Sequence, residues 1–169
     1  MSHFERMRTL MTELGPLLEL EEVTEFTEDQ SFGLLVDDDT PITADYDEAH
    51  SRILLSAEVA APPEDKRHAV YEMLLQYNLL WFETGGLHMA LDGPAGSVVQ
   101  MMVIPATDLN ITTFGSILSR FIESLKAWRM VITEGLGAAQ SNAATAPPDP
   151  LGPDGGIIPG LKYRSAQSG

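Results

Sequence analysis

The sequence predicts an α+β fold in which helices cover one face of an antiparallel sheet. Short apolar runs are separated by turn-forming residues, longer segments carry apolar residues at helical spacing, and the runs fall into a set of three and a set of two. Strands grouped in this way and separated by helices favour a layered α+β structure. The predicted order is α-β-β-β-α-β-β-α. The chain has 169 residues, enough for one such domain.

The first predicted helix follows from apolar residues at three- and four-residue steps between Phe4 and Leu14. Gly15 and Pro16 predict its end, because glycine commonly follows a helix and proline does not continue one. A short glutamate-rich connection is expected after them. Strand-like runs with intervening turn residues then occupy residues 31–36, 41–46 and 52–59.

The second helix is predicted to begin at residues 62–65, where two prolines precede two acids. Proline suits the first helical position, and acids there interact favourably with the helix dipole. Apolar residues then follow on two sides of the helix until Gly85 and Gly86 end it. Either a second chain covers one of these sides, or the sheet and the third helix cover both of them. The apolar supply favours a second chain.

Two further strands are predicted over residues 87–92 and 97–104, joined by a Gly-Pro-Ala-Gly loop. The last helix is predicted to begin after Asn110, a favourable N-cap, and to reach Glu134. Its apolar residues recur at helical spacing throughout. We expect this helix to bury one continuous stripe.

Residues 1–134 are predicted to form the domain, and residues 135–169 a flexible tail. The tail holds 7 of the 14 glycines and 5 of the 11 prolines of the chain. Its apolar cluster consists of Ile157, Ile158 and Leu161. So few apolar side chains do not offset the conformational entropy lost on ordering a segment.

The net charge of −15 is concentrated at the front of the chain, since residues 1–50 contain fourteen acids and two arginines. A field of this sign repels phosphate, which argues against nucleic acid and anionic membranes as partners. It favours basic or amphipathic polypeptides, although solubility alone also explains acidity. No run of eighteen uncharged apolar residues occurs, and charges interrupt the first residues, so neither a membrane span nor a secretory signal is expected.

The sequence contains no recognisable catalytic motif. It lacks cysteine, a phosphate-binding glycine loop and a Gly-x-Ser-x-Gly element, so we predict no enzyme activity, no catalytic residue and no cofactor. The absence of cysteine fits a reducing cytosol. Three consecutive aspartates, residues 37–39, predict a solvated turn, and no metal site is expected. The histidines are scattered, and His88 is interpreted as a structural residue.

Three segments resemble the class I type III secretion chaperones, the family typified by the Tir chaperone of pathogenic bacteria. The most specific is YEMLLQYNLLWFETGGLHMALD, residues 71–92, with its leucine-rich run, asparagine, Gly-Gly turn and strand ending in Leu-Asp. FERMRTLMTELGPLLEL is similar to the family's first helix, and DLNITTFGSILSRFIESLKAWR to its last. The resemblance covers residues 3–134 in order. The chain departs from the family in its long tail and its acidic front half.

The resemblance implies a bacterial cytoplasmic homodimer that binds the N-terminal region of one or more secreted effector proteins in extended form. It implies that the effector adds a strand to the sheet and places apolar side chains in grooves. For the tail, in which the chain departs from the family, three roles stay open: contact with the export ATPase, occupation of the groove, and a plain disordered end. The implied effector-binding residues, for which core packing is the alternative role, are Phe4, Met7, Leu10, Leu34, Val36 and Ile42. The implied dimer-interface residues are Leu75, Asn78, Leu79, Phe82, His88 and Ala90.

Two other interpretations remain open at this point. The chain is a small ligand-binding or enzymatic α+β domain, with Glu83, His88 and Asp92 around a pocket, or it is an anti-activator that binds a regulatory protein through the same grooves. A buried polar cavity would favour the first. The identity of the partner separates the second from an effector chaperone.

Overall fold

The computed structural model describes residues 3–37 and 39–135. The predicted tail lies outside the described residues apart from Gly135. The helices of the described part are α1 (His3–Leu17), α2 (Arg67–Leu79) and α3 (Ile111–Glu134), and a single 3-10 turn spans Glu48–His50. The strands are β1 (Glu22–Phe26), β2 (Ser31–Val36), β3 (Thr40–Asp47), β4 (Arg52–Ala60), β5 (Leu87–Leu91) and β6 (Val98–Pro105). None of these helices is long and apolar enough to cross a membrane.

All six strands form one antiparallel sheet in the order β1-β2-β3-β4-β6-β5. The two edges of the sheet are therefore β1 and β5. The predicted α+β class and antiparallel sheet are confirmed. Four strands precede α2, however, where three were predicted.

One face of the sheet packs against the helices. Along β3 the side chains of Ile42, Ala44 and Tyr46 are buried, and those between them are more exposed. This alternation is expected of an antiparallel strand with one covered face. The predicted stripe of α3 supplies the opposing layer, since Phe114 and Trp128 are both buried. Asn110 caps this helix as predicted, because its side chain accepts a hydrogen bond from the backbone N–H of Thr113 at 2.9 Å.

The additional strand, β1, lies in the segment that was predicted to be a connection. It pairs along its whole length with β2, with Val23 opposite Leu34 and Phe26 opposite Ser31. Its sequence, EVTEF, contains two glutamates in five residues and therefore lacks the apolar alternation of a covered strand. Charged residues are common on edge strands, where one side remains in solvent. Tertiary position, which the sequence pattern does not reveal, explains this error.

The predicted end of α1 at Gly15 and Pro16 is wrong, since the helix continues to Leu17. A proline in the last turn removes only its own N–H, and the later donors still find carbonyl partners. Leu18 donates to the Leu14 carbonyl at 3.0 Å, and Leu20 donates to the Gly15 carbonyl at 2.9 Å. The Pro16 ring therefore does not terminate the helix.

The predicted bounds of α2 are also wrong, because the helix begins at Arg67 and ends at Leu79. Before it, Lys66 donates to the Pro63 carbonyl at 3.0 Å, so the proline-acid segment forms a turn. After it, a series of turns leads to Gly85 and Gly86, whose φ angles are +71° and +91°. Glycine adopts such angles without strain, which explains the pair at the entry to β5.

Candidate functional site

The second helix has one covered side and one uncovered side. Val70 and Leu74 on the covered side are buried, and the Tyr77 ring packs edge-on against Trp128 with centroids 4.9 Å apart. On the uncovered side the exposed fractions are 71% for Leu75, 80% for Leu79 and 82% for Phe82. We call the exposed set, completed by Trp81, the α2 patch: Leu75, Leu79, Trp81 and Phe82. Within the chain, therefore, the sheet and α3 do not cover both sides of this helix.

Asn78 joins the α2 patch to the sheet. Its amide nitrogen donates to the Met89 carbonyl at 2.8 Å, and the Met89 N–H donates to its amide oxygen at 2.8 Å. The side chain thus imitates a neighbouring strand at the edge of β5. Because this amide is already engaged within the chain, its role in a dimer interface stays a prediction.

His88 and Ala90 lie on either side of Met89 and face away from the helices. Both are exposed, and they pair across the sheet with Met101 and Val99 of β6. The Nδ1 atom of His88 lies 2.8 Å from the Gly86 carbonyl oxygen. Five of the six predicted dimer-interface residues are therefore exposed. The sixth, Asn78, is partly buried and hydrogen-bonded to Met89.

The other edge of the sheet is open. Among the described residues β1 pairs with β2 only. Leu17, at the end of α1, is 56% exposed and Phe26, at the end of β1, is 49% exposed. The Phe26 ring lies over Gly33, where an added Cβ would come within 3.2 Å of it. We define the β1 edge as the strand Glu22–Phe26.

The β1 edge is strongly acidic. Six acids flank it or belong to it: Glu19, Glu21, Glu22, Glu25, Glu28 and Asp29. No lysine or arginine occurs between Arg8 and Arg52.

Arg8 is engaged with Glu25 on β1, donating from Nε at 2.7 Å and from Nη2 at 2.6 Å. The hydrogen bond from Arg8 lowers the pKa of Glu25 below its ordinary value, and a hydrogen bond from Thr27 acts in the same direction. The guanidinium also lies over the Phe4 ring, 5.5 Å from its centroid.

On β3, burial and then the charge of Asp29 raise the pKa of Asp45. A raised carboxyl pKa is the expected effect of like charge and lost hydration.

Most of the predicted effector-binding residues lie in the core beside this edge. Phe4 is partly buried, with its ring 5.5 Å from that of Phe32 and 6.3 Å from that of Tyr46. The other five are buried in the layer between α1 and the sheet: Met7, Leu10, Leu34, Val36 and Ile42. Periodicity identified the apolar face correctly but does not distinguish a core face from an open groove. Contact of these residues with another polypeptide stays a prediction.

A groove of about 490 Å³ lies between α3 and the connection from α2 to β5. Its lining is mainly apolar and includes Tyr77, Phe121 and Trp128, with Glu83 and Arg120 among the charged residues. The ligand-binding alternative needs His88 and Asp92 there as well, and neither lines the groove. The described residues therefore do not form the predicted polar pocket.

Two aspartates of the turn after β2, Asp37 and Asp39, are paired with α3. Asp37 Oδ2 forms an ion pair with Lys126 Nζ at 2.6 Å, and Asp39 Oδ1 lies 3.8 Å from Arg129 Nη1. Arg129 also donates to the Val59 carbonyl at 3.1 Å and to the Thr40 hydroxyl at 3.0 Å. In the described part of the chain no group of three or more acids and histidines has the geometry to hold a metal ion.

Three exposed apolar residues were not identified from the sequence: Leu17 at the end of α1, Phe26 at the β1 edge and Trp81 in the α2 patch. Leu17 lies beyond the predicted end of α1, and Phe26 stands among acids that hide the strand. A buried polar residue, Gln100, was missed as well. It donates to the Phe121 carbonyl at 2.8 Å and accepts from Ser124 at 3.0 Å, which fixes β6 to α3. The signal for Gln100 was its place inside an apolar strand.

The fold is similar to those of three solved complexes. The crystal structure of the ExsC–ExsE complex matches with a TM-score of 0.67 and 21% identity, over 78% of this chain and 97% of that chain. The HopA1–SchA chaperone–effector complex matches with a TM-score of 0.59 and 22% identity, over 72% of this chain and 91% of that chain. The heterodimeric ExoU–SpcU complex from the type III secretion system of Pseudomonas aeruginosa gives 0.50 and 15%, over 62% of this chain and 84% of that chain. At these identities the likeness establishes the fold.

Comparison with curated protein sequences gives no significant match. The model of the Tir chaperone protein (CesT) family matches residues 9–129, which is more than two thirds of the chain and spans α1 to α3. The match includes both the α2 patch and the β1 edge. With the fold and the family signature in agreement, the chain belongs to the Tir chaperone protein (CesT) family.

Proposed function

We propose that this protein is a type III secretion chaperone that binds the N-terminal region of one or more effectors in extended form and keeps it competent for export. Family membership supports the general role. The solved complexes with the same fold include one described as a chaperone with its effector. The observation that carries the proposal to a specific surface is the open β1 edge.

An unpaired strand edge offers a row of backbone donors and acceptors to an incoming chain. At the β1 edge, the exposed side chain of Phe26 adds apolar contact beside that row. The surrounding carboxylates favour a segment that carries lysine or arginine. We therefore expect an effector strand that alternates apolar and basic residues to pair with β1.

The six predicted effector-binding residues, most of which are buried, have a smaller role in this proposal than the β1 edge. Phe4 lies at the margin of the core beside Arg8, so it is the one of the six that reaches a bound chain with a side-chain movement alone. Met7, Leu34 and Ile42 would support the edge from beneath. Delivery to the export ATPase also stays within the proposal.

We further propose that two copies associate through the α2 patch and the outer face of β5. Four large apolar side chains exposed within eight residues, two on α2 and two in the turns after it, are unusual for a surface that stays in water. Asn78 closes the β5 edge, which leaves side-chain packing as the mode of association here. A dimer would place two β1 edges on one particle, so that one long extended segment can contact both.

The effector-binding proposal is tested with an N-terminal fragment of an effector from the same bacterium, titrated by calorimetry into the purified chain. Phe26→Asp is expected to weaken binding about tenfold or more, because it removes apolar contact and adds a charge at the edge. Val103→Asp is the matched control, since Val103 is 50% exposed and lies on β6, four strands from β1. Equal effects of the two variants would contradict binding at the β1 edge.

A further inference from the structure

We propose that residues 161–164 of the chain's own tail form a strand that pairs with the β1 edge of the same chain and occupies it until an effector arrives. The competition with an effector rests on the proposed function. The pairing itself does not, and the two are tested separately below.

The tail segment has the pattern that the edge favours. Leu161, Lys162, Tyr163 and Arg164 alternate apolar and basic side chains, which is the period of a β-strand with two different faces. Lys162 and Arg164 are the only lysine and arginine after Arg129. The positive charge of the whole tail is therefore concentrated in this one strand-like segment.

The β1 edge is complementary to it in backbone, surface and charge. Glu22 and Glu25 lie on the strand itself. Arg8 forms an ion pair with Glu25 and not with Glu22. Exposed Phe26 offers apolar contact to Leu161 and Tyr163. A strand with both kinds of side chain is thus matched at an edge that has both kinds of partner.

The sheet offers no equivalent place for this segment among the described residues. At the edge of β5, the side chain of Asn78 already occupies the backbone N–H and carbonyl of Met89, the middle residue of the strand. In the groove beside α3, Arg120 partly offsets the two acids, Glu83 and Glu123. The β1 edge alone combines an open backbone with an excess of acids.

The tail starts at a favourable position and is long enough. Lys126 and Arg129 hold the last turns of α3 against the turn that follows β2, the strand next to β1. From Gly135 to Leu161 the chain has 26 residues, which span up to roughly 85 Å when extended and about 30 Å as a flexible coil. A tether of this kind gives an effective concentration of about 1 mM at the edge.

The consequence is a shielded edge in the absence of an effector. An unpaired acidic strand with an exposed Phe26 is a site for unwanted pairing, and a weak internal strand protects it. If the isolated tail strand binds with a Kd of about 0.1 mM, the tether fills the edge about 90% of the time and weakens effector binding about tenfold.

The test uses the full chain, which has no cysteine of its own. One variant carries Thr24→Cys on β1 and Ser165→Cys beside the tail strand. The control carries Ser56→Cys on β4 with the same Ser165→Cys, three strands away in the sheet, or roughly 14 Å. Both are treated with a short bis-maleimide, and the crosslinked products are separated on a denaturing gel.

We expect the Thr24–Ser165 pair to form an intrachain crosslink at least about tenfold faster than the Ser56–Ser165 pair. Exchanging two tail residues, Lys162→Tyr with Tyr163→Lys, keeps the composition but breaks the alternation, and it should remove this preference. Equal rates for the two pairs, a preference that survives the exchange, or an interchain product alone would each overturn the proposal.

The competition is read in the same assay by adding an effector fragment that binds in calorimetry. Displacement of the tail predicts that the Thr24–Ser165 rate falls to the rate of the control pair, and that Lys162→Glu with Arg164→Glu strengthens effector binding about tenfold. If the crosslink persists at saturating effector, the effector binds elsewhere and the competition is wrong, although the tail still pairs with β1. If no effector binds at all, the proposed function fails while the crosslink result stands.

Discussion

Asn78 shows how one residue closes a sheet edge inside a monomer. Its amide satisfies both the N–H and the carbonyl of Met89, each at 2.8 Å, in a partly buried place. A side chain without the amide leaves both backbone groups without a partner there. The cost of an unsatisfied group of this kind is about 1–3 kcal/mol.

Asn78→Ala is therefore expected to lower the free energy of unfolding by about 1–3 kcal/mol, measured by urea denaturation. Gln76→Ala on the exposed side of the same helix is the control, with a change within about 0.5 kcal/mol. A similar loss of unfolding free energy in both variants would mean that the hydrogen bonds between Asn78 and Met89 make no specific contribution to stability.

The Arg8–Glu25 pair makes part of the stability dependent on pH. The pKa of Glu25 is lowered in the folded chain, chiefly by the hydrogen bond from Arg8. A lowered carboxyl pKa contributes stability above the pKa of the unfolded chain, and this contribution is lost as the pH falls through the folded pKa. The effect is therefore present at neutral pH and disappears in acid.

Glu25→Gln should accordingly destabilise the chain more at pH 7 than at pH 3, below the ordinary glutamate pKa of about 4.3. Urea unfolding at a series of pH values measures the difference. Glu13→Gln, an exposed carboxylate on the same helix as Arg8, controls for the loss of one negative charge. A Glu25→Gln effect that does not change with pH would contradict the assignment.

At the residue scale the sequence predicted which side chains are apolar partners but not which of them are hidden. Leu34 and Leu79 look alike in a periodicity analysis, yet the first is 1% exposed and the second 80%. The difference arises because α1 and α3 cover the β2 side chain, whereas no described element covers the far side of α2. Only the packing of distant elements decides it.

The element α2 carries the proposed dimer surface. Its buried side holds Tyr77 against Trp128, and its exposed side presents Leu79 and Phe82. A change on the exposed side therefore affects association without disturbing the core. This separation makes the surface testable.

Leu79→Asp is expected to convert the dimer to a monomer at micromolar concentration, because it places a charge where an apolar contact is proposed. Size-exclusion chromatography with light scattering measures the mass of the particle. Leu17→Asp, at the end of α1 and 56% exposed, is the matched control and should remain dimeric. A wild-type chain that is monomeric throughout would contradict the proposed dimer.

Among the elements, α3 could be predicted closely from the sequence and β1 could not. The apolar stripe of α3 and the Asn110 cap can both be read from the sequence of the helix itself, and both are present in the structure. β1 exists because β2 supplies a partner, with Glu25 opposite Phe32 and Thr24 opposite Gly33. A strand of this kind depends on its neighbouring strand. The sequence of a five-residue acidic segment alone therefore gives only a weak indication of it.

At the scale of the whole molecule, charge and topology act together. Among the described residues the β1 edge stays open and six acids of the first fifty residues lie on or beside it, whereas the apolar excess of α2 lies at the opposite end of the sheet. One end thus favours a basic extended chain, and the other favours a second copy. The family resemblance in the sequence predicted both roles, and the structure adds the edge strand on which the first role depends.

The mass of the complex formed with an effector fragment tests the central claim most directly. Light scattering of the purified chain, mixed with an N-terminal effector fragment of about one hundred residues, should give a particle of two copies and one fragment. In the same complex, hydrogen exchange should slow at the backbone amides of Glu22–Phe26. A monomeric chain that forms no complex, or a complex that leaves exchange in β1 unchanged, would contradict the account.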